Sequence, residues 1–467
     1  NLTTEPKLGY VMSFSYTVTS LAGNFGRLWR PGHESFTKGS AVARRIIQVQ
    51  GAGATTYLQG LVTSDLLQPP PVPREEPPTE YDTPPHPGDK SNPPVEFSDK
   101  LRSACFLDNK GRILTDCLLW KIDESHYYVD VPEETADQLL AHMKQFILRR
   151  SKVKVTDASN DITAHVVYGT LNASGTPEGF LSAVDPRHPC LGMRVLSLSP
   201  QATTRFEPMM KSSFPTSPGT YHVIRKFAGV AEGSELQGKV AGETNQEFLN
   251  GVSFSKGCYL GQELTARVQY TGAIRKRVMP VLLLDLNVEI PRPWLLASQI
   301  QQGRTPPDLD EESLVRWHQS IPRLPRLSPS AVGSIVGSLS DPIFVDNNVE
   351  TSDKNDAEEL KAQAASLMER LQQLQGGDKM IDPQDGKTVG QIVARPEPGT
   401  NVVLAQMRLD RVGLLGDGVW KHTNKIKLGD LGEMRYLPYM PLWWPEIDRE
   451  TGKAKEADAD DSEEHLD

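Results

Sequence analysis

Apolar positions in this chain recur with a period near two in some stretches and near three and a half in others, and each change of period marks a boundary between elements. Ile46, Ile47 and Val49 form a β-like run that passes through Gly51 and Gly53 into a short helical segment carrying Tyr57, Leu58 and Leu61. Cys105 to Lys121 reads as two apolar strands joined by the hairpin residues Asn109, Lys110 and Gly111. A helix follows. Pro132 suits its first turn, Glu133 and Glu134 complement its positive end, and Arg149 and Arg150 its negative end. Leu139, Met143, Phe146 and Ile147 are its predicted buried stripe. Val153 to Val155 and Ala164 to Tyr168 read as further strands.

Beyond Arg277 the pattern changes. Val278 to Leu286 is strand-like, and Ala331 to Leu339 alternates small and apolar residues. Leu360, Leu367, Leu371 and Leu374 lie on one stripe of an amphipathic helix that is expected to pack on the body of the protein. Lys387 to Leu415 returns to strands, with turns at Pro396, Pro398 and Gly399, as in a closing β-barrel. Trp443 and Trp444 are expected to cover an open barrel edge.

With 467 residues, 38% hydrophobic and 24% charged, the chain has the length of two to three domains and the composition of a globular protein. Pro69 to Pro94 and Gly303 to Pro329 are too rich in proline and charge to pack a core, and read as insertions. The formal net charge of −10 argues against nucleic-acid binding, although part of it sits in the acidic end KEADADDSEEHLD. No apolar run approaches the roughly 18 residues of a membrane helix, so no membrane partner is expected. Cysteines 105, 117, 190 and 258 form no CxxC pair and no complete metal or cluster set, which fits free thiols in a reducing compartment and a monomer without its own metal.

One cysteine stands apart. In KGCYLGQELTARV, Cys258 lies between Lys256 and a helix predicted to open near Gly261. A nearby ammonium and the unpaired amides of a helix start both favour a thiolate. Gly257 and Gly261 allow tight turning and close approach, while Gln262 and Glu263 fall in the first turn, where the glutamate suits the dipole and is a candidate cap. Arg267, Arg275, Lys276 and Arg277 add positive charge, as a cradle for an anionic ligand or as a solvated basic face. The alternative is that Cys258 is a small buried hydrophobe, as most free cysteines are.

The run GVSFSKGCYLGQELTARV resembles the signature of the iron–sulfur-cluster assembly factors of the folate-binding aminomethyltransferase (glycine-cleavage T-protein, YgfZ-like) superfamily, in particular the mitochondrial branch. IIQVQGAGATTYLQGLVTSDL, CFLDNKGRILTDCLLWK and VGQIVARPEPGTNVVLAQMRLDRVG resemble the family's other blocks, in the expected order. The resemblance implies an α+β fold of three domains in a ring: two interleaved antiparallel α+β subdomains over residues 10–275, interrupted by the insertion 69–94, and a C-terminal β-barrel over 276–447 with insertions at 303–330 and 350–378, ahead of an acidic tail at 448–467. It also implies the mitochondrial matrix. Asn1 rather than methionine opens the chain, as in a mature form that has lost a transit peptide.

The same comparison assigns Asp116 as the acid/base of folate chemistry and Asp130, Arg225, Phe227 and Glu243 as folate contacts, with three departures, the first being Thr115 where the aminomethyltransferases typically carry a second acid beside Asp116. Phe227 stands where the family presents a glutamate to the pterin, and Asp130 where it has an asparagine. An aromatic ring cannot accept the pterin's paired N–H donors. The leading expectation is therefore an accessory factor for [4Fe–4S] assembly, with Cys258 as ligand or exchange group in a transient cluster shared with an A-type scaffold protein. A tetrahydrofolate-dependent aminomethyltransferase is the alternative, and a cysteine hydrolase ranks last because no familiar nucleophile signature surrounds the thiol.

Overall fold

The computed structural model describes residues 32–37, 39–40, 43–73, 97–168, 176–210, 214–215, 219–286, 365–416, 425–441 and 443–455. The first sheet is entirely antiparallel, with strands in the order β3 (Leu101–Leu107), β4 (Ile113–Asp123), β5 (His126–Pro132), β2 (Arg44–Gln50) and β6 (Lys154–Asp157). Alternation along these strands sorts the side chains. Ile47, Val49, Leu119, Val129 and Val131 pack under helices α1 (Ala54–Gln59) and α2 (Glu133–Gln145), while Ile46, Leu118, Trp120 and Tyr128 face the molecular centre. A second sheet has the order β10 (Phe214–Pro215), β1 (Gly32–Ser35), β7 (Thr163–Tyr168), β9 (Met193–Ser197) and β8 (Phe180–Val184), with β1 and β10 parallel. It is flanked by α3 (Pro200–Met209), which Ser199 caps through the Ala202 amide, and α4 (Thr220–Phe227).

The helix α5 (Gln262–Tyr270) leads into a closed six-stranded barrel of β11 (Lys276–Leu284), β14 (Val402–Arg408), β13 (Thr388–Ala394), β12 (Lys379–Ile381), β15 (Lys425–Leu428) and β16 (Glu433–Pro438). The fold class is α+β, as the sequence predicts. Leu367, Leu371 and Leu374 are buried in the core shared by barrel and sheets, so this stripe packs on the protein's own body; Leu360 and Ala331 to Leu339 lie outside the described residues.

Two expectations are corrected. The barrel closes through pairing of β11 with β16, so the tryptophans cover no edge. Instead Trp443 donates its Nε1 proton to Ala228 O, at the end of α4, at 2.7 Å, and Trp444 packs on Phe248. The second concerns α2. It ends at Gln145, Phe146 becomes its C-cap and lies 37% exposed, and Arg149–Ser151 form a separate 3-10 turn rather than the last turn of the helix.

Candidate functional site

The loop ahead of α5 is fastened along its length. Ser253 N donates to Thr63 O at 2.9 Å and Leu260 N to Gly60 O at 3.0 Å, so the segment runs beside the residues that follow α1. Gly261 caps α5 in the left-handed region with φ 79°, and no side chain caps the helix, so the expectation of a Glu263 cap is not met. A Cβ at Gly261 would stand 2.5 Å from Asp108 O, and one at Gly111 2.6 Å from Gly261 O. The two glycines therefore let the β3–β4 hairpin and the start of α5 touch backbone to backbone. Gly257 has open space around it.

Lys256 has a different role from the one its position suggests. Its buried ammonium donates to Gln59 O at 2.8 Å, Val62 O at 2.6 Å and Ser64 O at 3.0 Å, which uses all three N–H donors, and it lies 4.6 Å from the centre of the Tyr259 ring. Burial lowers its pKa to about 8. The lysine ties the motif to the 59–64 loop and does not pair with the thiol. Cys258 itself is exposed, whereas Cys105 and Cys117 are buried, with burial pushing both thiols well above their ordinary value. The side chain of Cys190 lies outside the described residues. Glu263 and Arg267 are exposed on α5, Gln262 is half-buried, and Arg275 and Lys276 are exposed. Arg277 is not part of a basic face: it is fully buried, bonded to Gly452 O, Gly242 O and Asn245 Oδ1, paired with Glu247 at 2.8 Å and stacked 4.1 Å from the Phe248 ring centre.

The folate candidates lie elsewhere, around a buried ionic network between the two sheets. Arg187 binds Asp185 through both carboxylate oxygens, at 3.0 and 2.8 Å, and Glu232 at 2.6 Å. Arg194 binds Asp185 at 2.9 Å, and Tyr221 donates its hydroxyl proton to Glu232. Arg44 bridges Asp130 and Glu232, the latter at 3.2 Å. Burial favours protonation of Glu232, but Arg187, then Arg44, Arg225 and Arg194, outweigh it and hold the carboxyl well below its ordinary range. Asp116 accepts a hydrogen bond from Gly233 N at 2.7 Å and stands 3.8 Å from Arg187; burial and then the charge of Glu232 push it up to about 6.

Of the other candidates, Arg225 makes a two-pronged pair with Glu235 at 2.7 and 2.8 Å. Phe227 is buried at the end of α4, where its carbonyl accepts from Tyr439, and Glu243 accepts from Gln406 at 2.8 Å. Asp116 and Asp130 thus share one network, and Arg225 touches its edge through Glu232 at 3.9 Å. The sequence reading did not single out Glu232, Arg187, Arg194 or Arg44. Glu232 lies five residues after Phe227, the position where the family presents its glutamate, and that proximity is the signal that points to it.

A pterin held at this centre needs a carboxylate with two free oxygens for its paired donors. Both oxygens of Glu232 are taken by guanidinium or hydroxyl donors, and at Asp130 only Oδ2 lacks a partner. Neither Glu232 nor Asp130 therefore offers a pterin two free carboxylate oxygens. No group of three or more His, Cys, Asp or Glu side chains among the described residues is placed to hold a metal ion.

No family model matches the chain. It is 30% identical over 252 residues to the mitochondrial iron–sulfur cluster assembly factor IBA57 homolog of Pyricularia oryzae, covering 52% of this chain and 56% of that protein. The IBA57 homolog of Chaetomium globosum is 32% identical over 268 residues, covering 52% and 55%, and that of Coccidioides immitis 29% over 278 residues, covering 56% and 59%. The chain thus spans a little over half the length of the curated relatives it matches. Among solved structures, the glycine cleavage system aminomethyltransferase T from Bartonella henselae superposes with a TM-score of 0.51 over 93% of this chain and 91% of that one, at 8% identity. In sequence the chain is similar to the mitochondrial iron–sulfur assembly factors, and its fold is that of an aminomethyltransferase T-protein.

Proposed function

We propose that the chain is an accessory factor for iron–sulfur cluster assembly in the mitochondrial matrix, acting with small A-type scaffold proteins on [4Fe–4S] clusters. The observation that carries this reading is the exposed Cys258 on a loop pinned to the 59–64 segment and the β3–β4 hairpin, beside the open space at Gly257. The sequence similarity to the mitochondrial iron–sulfur assembly factors of three fungi supports it. One soft thiolate completes a coordination sphere that a partner's cysteines begin, and the cluster is cargo rather than a resident group. Folate has no part in this reading, because both oxygens of Glu232 already accept hydrogen bonds from within the chain.

Anaerobic mixing of the protein with iron, sulfide and an A-type scaffold protein tests this by visible absorption. The expected outcome is a cluster spectrum on a one-to-one complex that Cys258→Ser abolishes, with the protein monomeric and colourless alone. An unchanged spectrum in that variant, or cluster formation indifferent to the added protein, sinks the reading. A parallel calorimetric titration with tetrahydrofolate is expected to show no binding; saturable heats would restore the one-carbon transferase alternative.

A further inference from the structure

Nothing acidic lies between Asp137 and Asp157, although the chain as a whole carries a formal charge of −10. Within that interval Lys144, Arg149, Arg150, Lys152 and Lys154 are all exposed, and none pairs with an acid among the described residues. The two bordering aspartates share one cation, since Arg45 binds Asp137 at 2.6 Å and also Asp157, which leaves one net negative charge against the five cations between them. On the β4–β5 hairpin Glu124 pairs with Lys121 at 2.5 Å and Asp123 accepts from Ser125, and on the β3–β4 hairpin Asp108, whose charge reaches His142 on α2, accepts from the amides of Lys110 and Arg112.

Two large apolar side chains stand among these cations, Phe146 at 37% exposure and Leu148 at 54%. They are displayed by a hydrogen-bonded turn. Ser151 N and Oγ both donate to Leu148 O, and the turn sits so close to the loop before α1 that a Cβ at Gly51 would fall 1.9 Å from Lys152 O and one at Gly53 2.1 Å from Ser151 O. Ile147, Val153 and Val155 point inward, into the cluster under α1 and α2. Alternate residues therefore anchor the turn, and the rest project from the end of a helix instead of lining a groove.

We propose that the segment from Lys144 to Lys154 is a peripheral contact for an anionic phospholipid surface, with Phe146 and Leu148 entering the interface and the five cations meeting headgroups. Two apolar tips, Phe146 resting 5.0 Å from the His142 ring and Leu148, stand among unpaired cations and complement a negatively charged bilayer interface, which takes both chemistries at once. An acidic protein segment would satisfy the charges but leave the two apolar tips in water. This contact lies on the surface of the chain and is distinct from spanning; no helix among the described residues is long and apolar enough to cross a membrane. It does not depend on the role given to Cys258.

The test is co-sedimentation of the full chain with phosphatidylcholine vesicles with and without phosphatidylglycerol, at low and high salt. Binding is expected only to the anionic vesicles, weakening with salt. Arg149→Glu/Arg150→Glu should reduce partitioning at least about tenfold, since each basic residue contributes roughly fivefold near such a surface. Phe146→Ser/Leu148→Ser should reduce it several-fold, whereas Lys379→Glu/Lys427→Glu on the barrel and Cys258→Ser should leave it unchanged. Because all these positions are exposed, melting temperatures are expected to stay within a few degrees of the parent, and this serves as the folding control. Absence of binding at low salt, or equal losses from the barrel variant, overturns the proposal. So does vesicle binding that polyglutamate competes away and that Phe146→Ser/Leu148→Ser leaves intact, because that pattern describes a cation cluster for acidic protein.

Discussion

Lys256 and Cys258 are two residues apart, and the structure gives them opposite surroundings: three backbone carbonyls around a buried ammonium, and solvent around a thiol. Replacing the lysine by methionine would leave those carbonyls without donors. Lys256→Met is therefore expected to lower stability by about 2–3 kcal/mol in urea unfolding; a loss under about 0.5 kcal/mol would show that water replaces the ammonium freely. In thiol labelling of the native protein, Cys258 should react in a fast phase that Cys258→Ser removes, while Cys105 and Cys117 react only once denaturant opens the core. Fast labelling of either buried cysteine would contradict the burial described above. The sequence located this segment through its residue types, but not the direction of the lysine. Spacing along the chain places an ammonium near a thiol, and only the fold shows that its three donors are already used.

At the scale of elements, helix α5 begins where the pattern predicts, because Gly261 marks the turn and the polar first turn follows it. What the sequence leaves out is why that residue is glycine: the contact with the β3–β4 hairpin joins positions 150 residues apart. The two motif glycines should behave very differently. Gly261→Ala combines a positive φ with a clash against Asp108 O and is expected to cost at least about 2 kcal/mol. Gly257→Ala meets nothing within 4 Å and should leave unfolding within about 0.5 kcal/mol of the parent. Should Gly257→Ala nevertheless impair cluster formation with the scaffold protein, the loss marks close approach of a partner at that point. The end of α2 shows the reverse failure. Counting a helical stripe runs on through Phe146, but the chain leaves the helix there, and periodicity carries no stop signal without a glycine or proline.

At the scale of the whole molecule, the α+β class and the barrel were legible because strand periods and turn residues are local properties. The ionic centre was not, since Arg44, the β8–β9 hairpin pair Arg187 and Arg194, and Glu232 are brought together from three separate segments. Removing one partner from such a network leaves a buried carboxylate uncompensated, so Arg187→Met is expected to destabilise by about 3–5 kcal/mol. The network also fixes a pH dependence with two signs. Glu232 and Asp185 are held below their unfolded values, so what they contribute is present above those values and lost as pH falls through the folded ones. Asp116 is shifted the other way, to about 6 from 3.8, so between those limits the folded state binds more protons and its contribution declines as pH rises. Asp116→Asn keeps an acceptor for the Gly233 amide and removes this one titration. The stability of the parent minus that of Asp116→Asn, measured by urea unfolding, should therefore fall steadily from pH 4 to pH 6 and level off above. A difference that stays flat across that window would mean that the Asp116 carboxyl is ionised throughout, with Arg187 and Arg44 outweighing both its burial and the charge of Glu232.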